Sequence, residues 1–192
     1  MRQSLALGGI LGGLVLFVWG TVSWMVLPWH LMTLQKFTDE AAVAGILSLT
    51  ASQTGAYILP NPHKHDPGMT QEQKKAAEEE GHRRMMRGPF MFASVSLAGA
   101  RDMRSALLTT LLGNILAAVL ATWLLLRTSG LSYPGRVGFL VTIGLTAGVI
   151  VDLPNWTWWN FPTSYLSVAF ADLLIGWLLA GLVIARVVRN ER

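Results

Sequence analysis

Three histidines in one polar segment are the residues of this chain best suited to hold a metal ion. His63 and His65 flank Lys64 in a proline-rich loop, and His82 follows in a charged segment that predicts a helix. Side chains two residues apart in an extended segment point to the same side, and imidazole with nearby methionine thioethers suits copper. The sequence therefore offers a copper site at His63, His65 and His82, with solvated loop histidines as the alternative. No other cofactor is expected.

Three polar residues interrupt otherwise apolar segments: Asn114, Asp152 and Asp172. Ionisable groups at membrane depth are costly; they mark proton or ion pathways, or they form hydrogen bonds that join helices. The sequence favours the second, structural role. We expect no basic partner inside the apolar segments of this chain. Two pairings stay open: Arg104 folds back to Asp152, or an Arg or Lys of another subunit pairs with Asp172.

Two further sets of residues have the composition of contact surfaces. Glycines one helical turn apart permit close approach of two helices; they are Gly8, Gly9, Gly12 and Gly13. An aromatic cluster lies between two prolines and consists of Trp156, Trp158, Trp159 and Phe161. Since indole rings favour the membrane–water interface, this cluster predicts either an interfacial anchor or a docking surface for another membrane subunit.

The composition indicates what must position these residues. Of 192 residues, 52% are hydrophobic, 14% are charged and none is cysteine, and the mean hydropathy is +0.45. Soluble domains carry about 25% charged residues, so the composition argues against a soluble enzyme. The net charge of +4 comes from arginines that flank apolar segments, so no nucleic-acid partner is expected.

Four long apolar segments predict four transmembrane helices, at residues 5–29, 105–126, 137–153 and 165–188. We expect three regions: helix 1 within residues 1–29 as an uncleaved anchor, an insert at residues 30–103, and helices 2–4 within residues 104–192 with an aromatic external loop at 154–164. The predicted fold is an all-α integral membrane protein, with four transmembrane helices and a small α/β extracytoplasmic insert between helices 1 and 2.

Turn and capping signals divide the insert into four short elements. Helices are predicted at residues 41–49 and 70–87, and strands at residues 54–60 and 90–97. Thr70 and Gln73 fit a capping box at the start of the second helix. Two ion pairs one turn apart are expected to support that helix, Glu79 with Arg83 and Glu80 with Arg84.

The arginines predict the orientation of the chain in the membrane. They gather at the N-terminus, in the connection between the second and third spans, and at the C-terminus: Arg2, Arg127, Arg136, Arg186, Arg189 and Arg192. Basic residues near membrane spans remain in the cytoplasm. We therefore expect a bacterial-type inner (plasma) membrane protein with both termini cytoplasmic and residues 30–103 outside the cytoplasm.

These features favour a non-catalytic role. We expect an accessory subunit or assembly factor of a larger inner-membrane complex, respiratory or otherwise engaged in electron transfer, with the lipid bilayer and other integral membrane subunits as its partners. Two alternatives stay open. One is a small proton-coupled transporter or ion-conducting protein that uses Asp172, and the other is an extracytoplasmic copper-handling membrane protein.

Overall fold

The computed structural model describes residues 2–63 and 65–188; Lys64, Arg189 and Arg192 lie outside the described residues. In chain order the helices are α1 Arg2–Met25, α2 Glu40–Thr50, α3 Gln71–Arg87, α4 Met103–Leu125, α5 Tyr133–Trp159 and α6 Thr163–Val187, and the strands are β1 Gly55–Leu59 and β2 Met91–Val95. The chain divides into two compact units. The bundle unit consists of Met1–Gln35 and Arg101–Arg192, and the insert unit is Lys36–Ala100.

Four helices of the bundle unit are long and apolar enough to cross a membrane: α1, α4, α5 and α6. They contain 23 to 27 residues each. At about 1.5 Å per residue, each exceeds the roughly 30 Å of a hydrocarbon core. The chain thus has the helices of a multi-pass membrane protein, as the sequence predicts.

The helix α5 is longer than predicted at both ends. Ser132 caps its start, since its hydroxyl accepts a hydrogen bond from the backbone N–H of Gly135, and Pro134 lies in the first turn, where no N–H is needed. Pro154 lies inside the helix and does not end it. The expected loop at 154–164 is therefore replaced by the last turns of α5 and a short connection at 160–162.

Glycines allow α1 to lie against α4 and α6. A Cβ atom on Gly13 would lie 2.5 Å from Cα of Ile115, and one on Gly12 would lie 2.5 Å from Cδ1 of Ile184. A Cβ atom on Gly8 would likewise be too close to the side chain of Thr122, and one on Gly9 too close to the side chain of Val119. All four glycines are buried. The close helix contact that their spacing permits is thus made within this chain.

The interior of the bundle unit is built largely from small residues. Ala118, Ala121 and Ala180 are at most 1% exposed and pack with larger side chains such as Leu140 and Ile184. Many large apolar side chains point outward instead, with Ile150 67% exposed. Small residues inside and large apolar residues outside are typical of helices that pack in lipid.

The insert unit has the predicted order of helix, strand, helix and strand. Its strands pair antiparallel, with Gly55 opposite Val95 and Leu59 opposite Met91. The helix α3 lies close to the loop before it, because a Cβ atom on Gly81 would be 2.7 Å from Cβ of Pro62.

Side-chain contacts support both ends of α3. The predicted capping box is present, because the Thr70 hydroxyl accepts from the N–H of Gln73 while the Gln73 side chain accepts from the N–H of Thr70. Near the other end, Glu80 accepts hydrogen bonds from Arg83 and Arg84. The predicted pair of Glu79 with Arg83 is wrong, because residues three apart also share a helix face and Arg83 contacts Glu80 instead.

Candidate functional site

The bundle unit brings the carboxylate of Asp172 to the imidazole of His30. Asp172 lies in α6, about 14 Å along the axis from Thr163 at 1.5 Å per residue, and its Oδ2 atom is 3.5 Å from Nε2 of His30. His30 is only 5% exposed. The expectation that no basic group of this chain reaches Asp172 is wrong, because the residues after α1 fold back and bring an imidazole to the level of Asp172.

A hydrogen-bonded chain holds the His30 ring in place. Nε2 of His30 lies 3.0 Å from the hydroxyl oxygen of Ser23, and the Trp29 indole N–H donates to that oxygen at 2.9 Å. When Nε2 carries a proton, the proton can be donated to Ser23 or to Asp172; when it does not, Nε2 can accept from Ser23. The imidazole is thus placed to hold or release a proton beside a carboxylate.

Aromatic rings surround this pair. The Trp24 ring stacks on His30 with ring centroids 3.9 Å apart, and the Trp29 ring meets His30 edge-on at 5.7 Å. The Trp19 indole N–H donates to the backbone oxygen of Asp172 at 3.1 Å. These contacts hold the His30 ring between two indoles and fix its orientation toward Asp172.

A cavity of about 550 Å³ opens beside Asp172. Its walls are mostly apolar and aromatic, with Trp19, Trp24 and Trp177 among them, and its polar groups include Asn114. The second carboxylate oxygen of Asp172, Oδ1, is buried and has no hydrogen-bond partner within the described part of the chain. One oxygen of this carboxylate therefore faces His30, and the other is buried without a hydrogen-bond partner among the described residues.

Two glycines give the cavity tryptophans their positions. A Cβ atom on Gly176 would lie 2.9 Å from Cδ1 of Trp19, and one on Gly144 would overlap the ring of Trp177. Each indole thus lies directly on helix backbone. Neither ring can therefore move further toward its glycine.

The three polar residues predicted at membrane depth separate into two groups. Asn114 and Asp172 both line the cavity. Asp152 lies toward the end of α5, where its Oδ2 atom is near Gly148, and it is not a lining residue. Within residues 2–63 and 65–188, Arg104 and Asp152 form no ion pair.

The aromatic cluster lies mainly on a helix rather than in a loop. Trp156, Trp158 and Trp159 occupy the last turn of α5, and Phe161 follows in the connection, where its ring contacts Tyr165. Trp158 is 74% exposed and Trp156 is 42% exposed. Exposed indoles at the end of a membrane helix suit either the headgroup region or another protein.

The insert histidines lie near one another along α3. The ring centroids of His63 and His82 are 5.9 Å apart. Nε2 of His65 lies 3.1 Å from Oε1 of Glu78, and Nδ1 of His82 lies 2.8 Å from the backbone oxygen of Glu78. No group of three His, Asp or Glu side chains converges as metal ligands among the residues that the structure describes. Copper binding stays a prediction.

Sequence reasoning missed the residues that build most of the site. His30 was assigned to the edge of the insert, and Ser23, Trp19 and Trp24 were assigned only to a membrane span. The available signal was the regular recurrence of tryptophan at positions 19, 24 and 29, directly before a histidine. That pattern could indicate an aromatic setting for His30, but not its contact with α6.

The chain matches no known family model, no curated protein and no solved structure. The class to which it can be assigned is the one that its own helices define, a multi-pass membrane protein.

Proposed function

We propose that the protein is a small proton-coupled transporter that takes a small, partly apolar cation into the cavity beside Asp172. The observation that carries the proposal is Asp172 itself, a residue that lines an aromatic cavity and whose buried Oδ1 atom lacks a hydrogen-bond partner among the described residues. A buried polar atom without a hydrogen bond is costly. A bound ligand that donates a charge-assisted contact removes that cost.

The cavity walls favour a cation over other ligands. Indole rings attract positive charge over their faces, and Trp19, Trp24 and Trp177 line the cavity together with Asp172. The volume of about 550 Å³ lies within the range of about 300–1,000 Å³ that is usual for small-molecule sites. The apolar lining suits a cation that carries an aromatic or aliphatic group.

Proton coupling is expected because the same carboxylate, that of Asp172, would interact with both His30 and the bound cation. With one proton between them, Asp172 and His30 together carry no net charge, and a cation bound beside Asp172 would leave an excess positive charge in an apolar setting. Excess charge in a low dielectric is expensive. Loss of that one proton restores neutrality, so entry of a cation is expected to release one proton.

Binding of phenyltrimethylammonium to the purified protein in detergent tests the site, because this probe carries a permanent charge and no proton of its own. The cavity tryptophans should report binding through their fluorescence. Asp172→Asn is expected to weaken binding about tenfold or more, because the permanent charge of the probe then loses its electrostatic attraction to the carboxylate, and a tenfold change corresponds to about 1.4 kcal/mol. Asp152→Asn is the matched control and should bind as the parent does.

A pH dye in weakly buffered solution tests the coupling. The parent should release a proton as the probe binds, whereas His30→Gln should bind the probe with little or no proton release. In proteoliposomes that contain only this chain, Asp172→Asn should abolish proton-coupled flux. Unchanged flux in Asp172→Asn, with normal folding, would contradict a transport role for this carboxylate.

A second candidate function is the accessory subunit or assembly factor of a larger membrane complex. The exposed rings of Trp156 and Trp158 at the end of α5 favour it, because exposed tryptophans often anchor protein interfaces. Native purification from membranes should recover stable partners, and Trp158→Ala should reduce their recovery. Purification as this chain alone, together with flux, favours the transporter.

The copper proposal has its own test. Purified protein would be titrated with Cu(I) and Cu(II) against a chelator of known affinity. The double variant His63→Ala, His65→Ala should lose affinity if these histidines are ligands. Equal affinity in parent and variant would remove His63 and His65 from the ligand set.

We also infer the orientation of the chain. Arg2, Arg127, Arg136 and Arg186 belong to the helix ends or connections that four successive crossings place on one side, and the positive-inside rule assigns that side to the cytoplasm. The insert unit is then extracytoplasmic. The inner (plasma) membrane of a bacterial-type cell fits this arrangement.

A further inference from the structure

The short helix α2 is apolar but packs on very little. Residues 41–62 contain no charged side chain, and every residue of α2 is half-buried or exposed. Leu49 is 88% exposed and Ile46 is 60% exposed. An apolar helix that presents such side chains on its surface requires a medium or a partner that accepts them.

The length of α2 restricts what that medium can be. Its 11 residues span about 17 Å at 1.5 Å per residue, too little to cross a core of roughly 30 Å. Apolar helices of this length are either buried inside a domain or lie in a membrane interface. The exposure of α2 excludes the first of these.

The chain also keeps α2 close to the bilayer. Gln35 is the last residue of the first bundle segment, and α2 begins five residues later at Glu40. Five extended residues reach at most about 18 Å. Phe37 in this connection is exposed, as are the apolar residues just before it, Leu31, Met32 and Leu34.

We propose that α2, together with residues 31–37, lies in the headgroup region of the bilayer as a lipid-contacting helix. The segment begins six residues after Met25, the last residue of the spanning helix α1, so the chain keeps it near the side of the membrane on which α1 ends. Lys36 is 79% exposed and lies 3.8 Å from Glu40. Its long side chain can reach lipid phosphates while the apolar residues on both sides contact acyl chains.

The absence of cysteine from the sequence makes a direct test possible. Ile46→Cys and Leu49→Cys each carry an environment-sensitive fluorophore in phosphatidylcholine vesicles. Met86→Cys is the matched control, because Met86 is 90% exposed in α3, the charged helix of the same unit. Quenching is compared between doxyl-labelled phosphatidylcholine and aqueous iodide.

At Ile46 and Leu49 the doxyl lipid should quench several-fold more strongly than at Met86, and iodide should quench several-fold less. Quenching of both α2 probes by iodide to the level of Met86 would place α2 in water and overturn the proposal. Protection of both α2 probes from both quenchers would also overturn it, because a protein surface would then cover the helix. Because two positions of α2 are labelled separately, the second still tests the proposal if one variant folds poorly.

Discussion

The carboxylate of Asp172 lies among apolar side chains, and its neighbours offset the cost of that position. His30 faces Oδ2, while Ser23 and Trp24 hold His30 by a hydrogen bond and by stacking. A charged or proton-sharing pair in such a setting stabilises the fold only when both members are present, because removal of one leaves the other buried without its partner. The two residues should therefore be energetically coupled.

We expect Asp172→Leu to lower the free energy of unfolding by about 1–2 kcal/mol, since His30 then loses its carboxylate. Asp172→Asn should cost less, because the amide keeps the size and hydrogen-bonding capacity of the carboxylate. Unfolding of the parent and the variants in mixed detergent micelles measures both values. A double-mutant cycle of His30→Ala with Asp172→Leu should show coupling, and the cycle of His30→Ala with Asp152→Leu should not.

The lowered pKa of Glu80 gives a prediction in the insert unit. Hydrogen bonds first from Arg83 and then from Arg84 hold the pKa of Glu80 below its ordinary value of 4.5. The interaction is therefore fully present above pH 4.5 and is lost as the pH falls through the lowered pKa. Because Glu80 is on the surface, the consequence is a local titration and not a large change in stability.

NMR titration of the Glu80 carboxyl carbon in micelles checks this prediction. The variant Arg83→Gln, Arg84→Gln should move the titration midpoint of Glu80 upward, toward 4.5. Arg87→Gln removes a charge from the same helix that does not contact Glu80, and it should have a smaller effect. An equal midpoint in the parent and the double variant would contradict the assigned cause.

At the scale of the elements, apolar length predicted the membrane helices well. The helices α4 and α6 begin and end within two residues of the predicted segments. The other two differ more: α1 covers residues 2–25 where 5–29 was predicted, and α5 covers residues 133–159 where 137–153 was predicted and includes Pro134 and Pro154. Both prolines are accommodated in the helix, because the first turn requires no N–H from Pro134 and membrane helices tolerate an internal proline when neighbouring groups satisfy the freed carbonyl.

The contact between α1 and α4 supplies a prediction about packing. Gly13→Ala should lower the free energy of unfolding by about 1–3 kcal/mol, the usual cost of overpacking. The reason is that its new methyl group would meet the backbone of Ile115, and backbone cannot rotate away as a side chain can. Resistance to unfolding in detergent, followed by circular dichroism, measures the change.

Gly113→Ala is the matched control on the facing helix. A Cβ atom there would meet nothing within 4 Å, so the alanine should be neutral or slightly stabilising through its higher helix propensity. Equal loss of stability in both variants would indicate that the effect arises from glycine replacement in general and not from the α1–α4 contact.

For the whole molecule, the helices and strands could be predicted from the sequence better than the contacts between them. The four spans and the order of elements in the insert follow from local signals, namely apolar length, capping residues and turns. The contact of His30 with Asp172 does not, because it depends on how the chain leaves α1 and on which face of α6 is turned inward. Residues 26–35 show no hydrophobic periodicity that would predict the course of the chain after α1, so the cavity was not predicted.

The last prediction concerns the direction of the chain in the membrane. We predict that the α4–α5 connection is cytoplasmic, because Arg127 and Arg136 lie near it. We predict that the insert unit is extracytoplasmic, because one crossing by α4 separates it from that connection along the chain. In intact cells, a membrane-impermeant maleimide should label Met86→Cys but should label Ser129→Cys only after permeabilisation. Both positions are exposed, so access to the reagent depends on the side of the membrane. The opposite pattern would invert the orientation and keep the four spans, whereas labelling of both positions from outside would contradict the crossing between them.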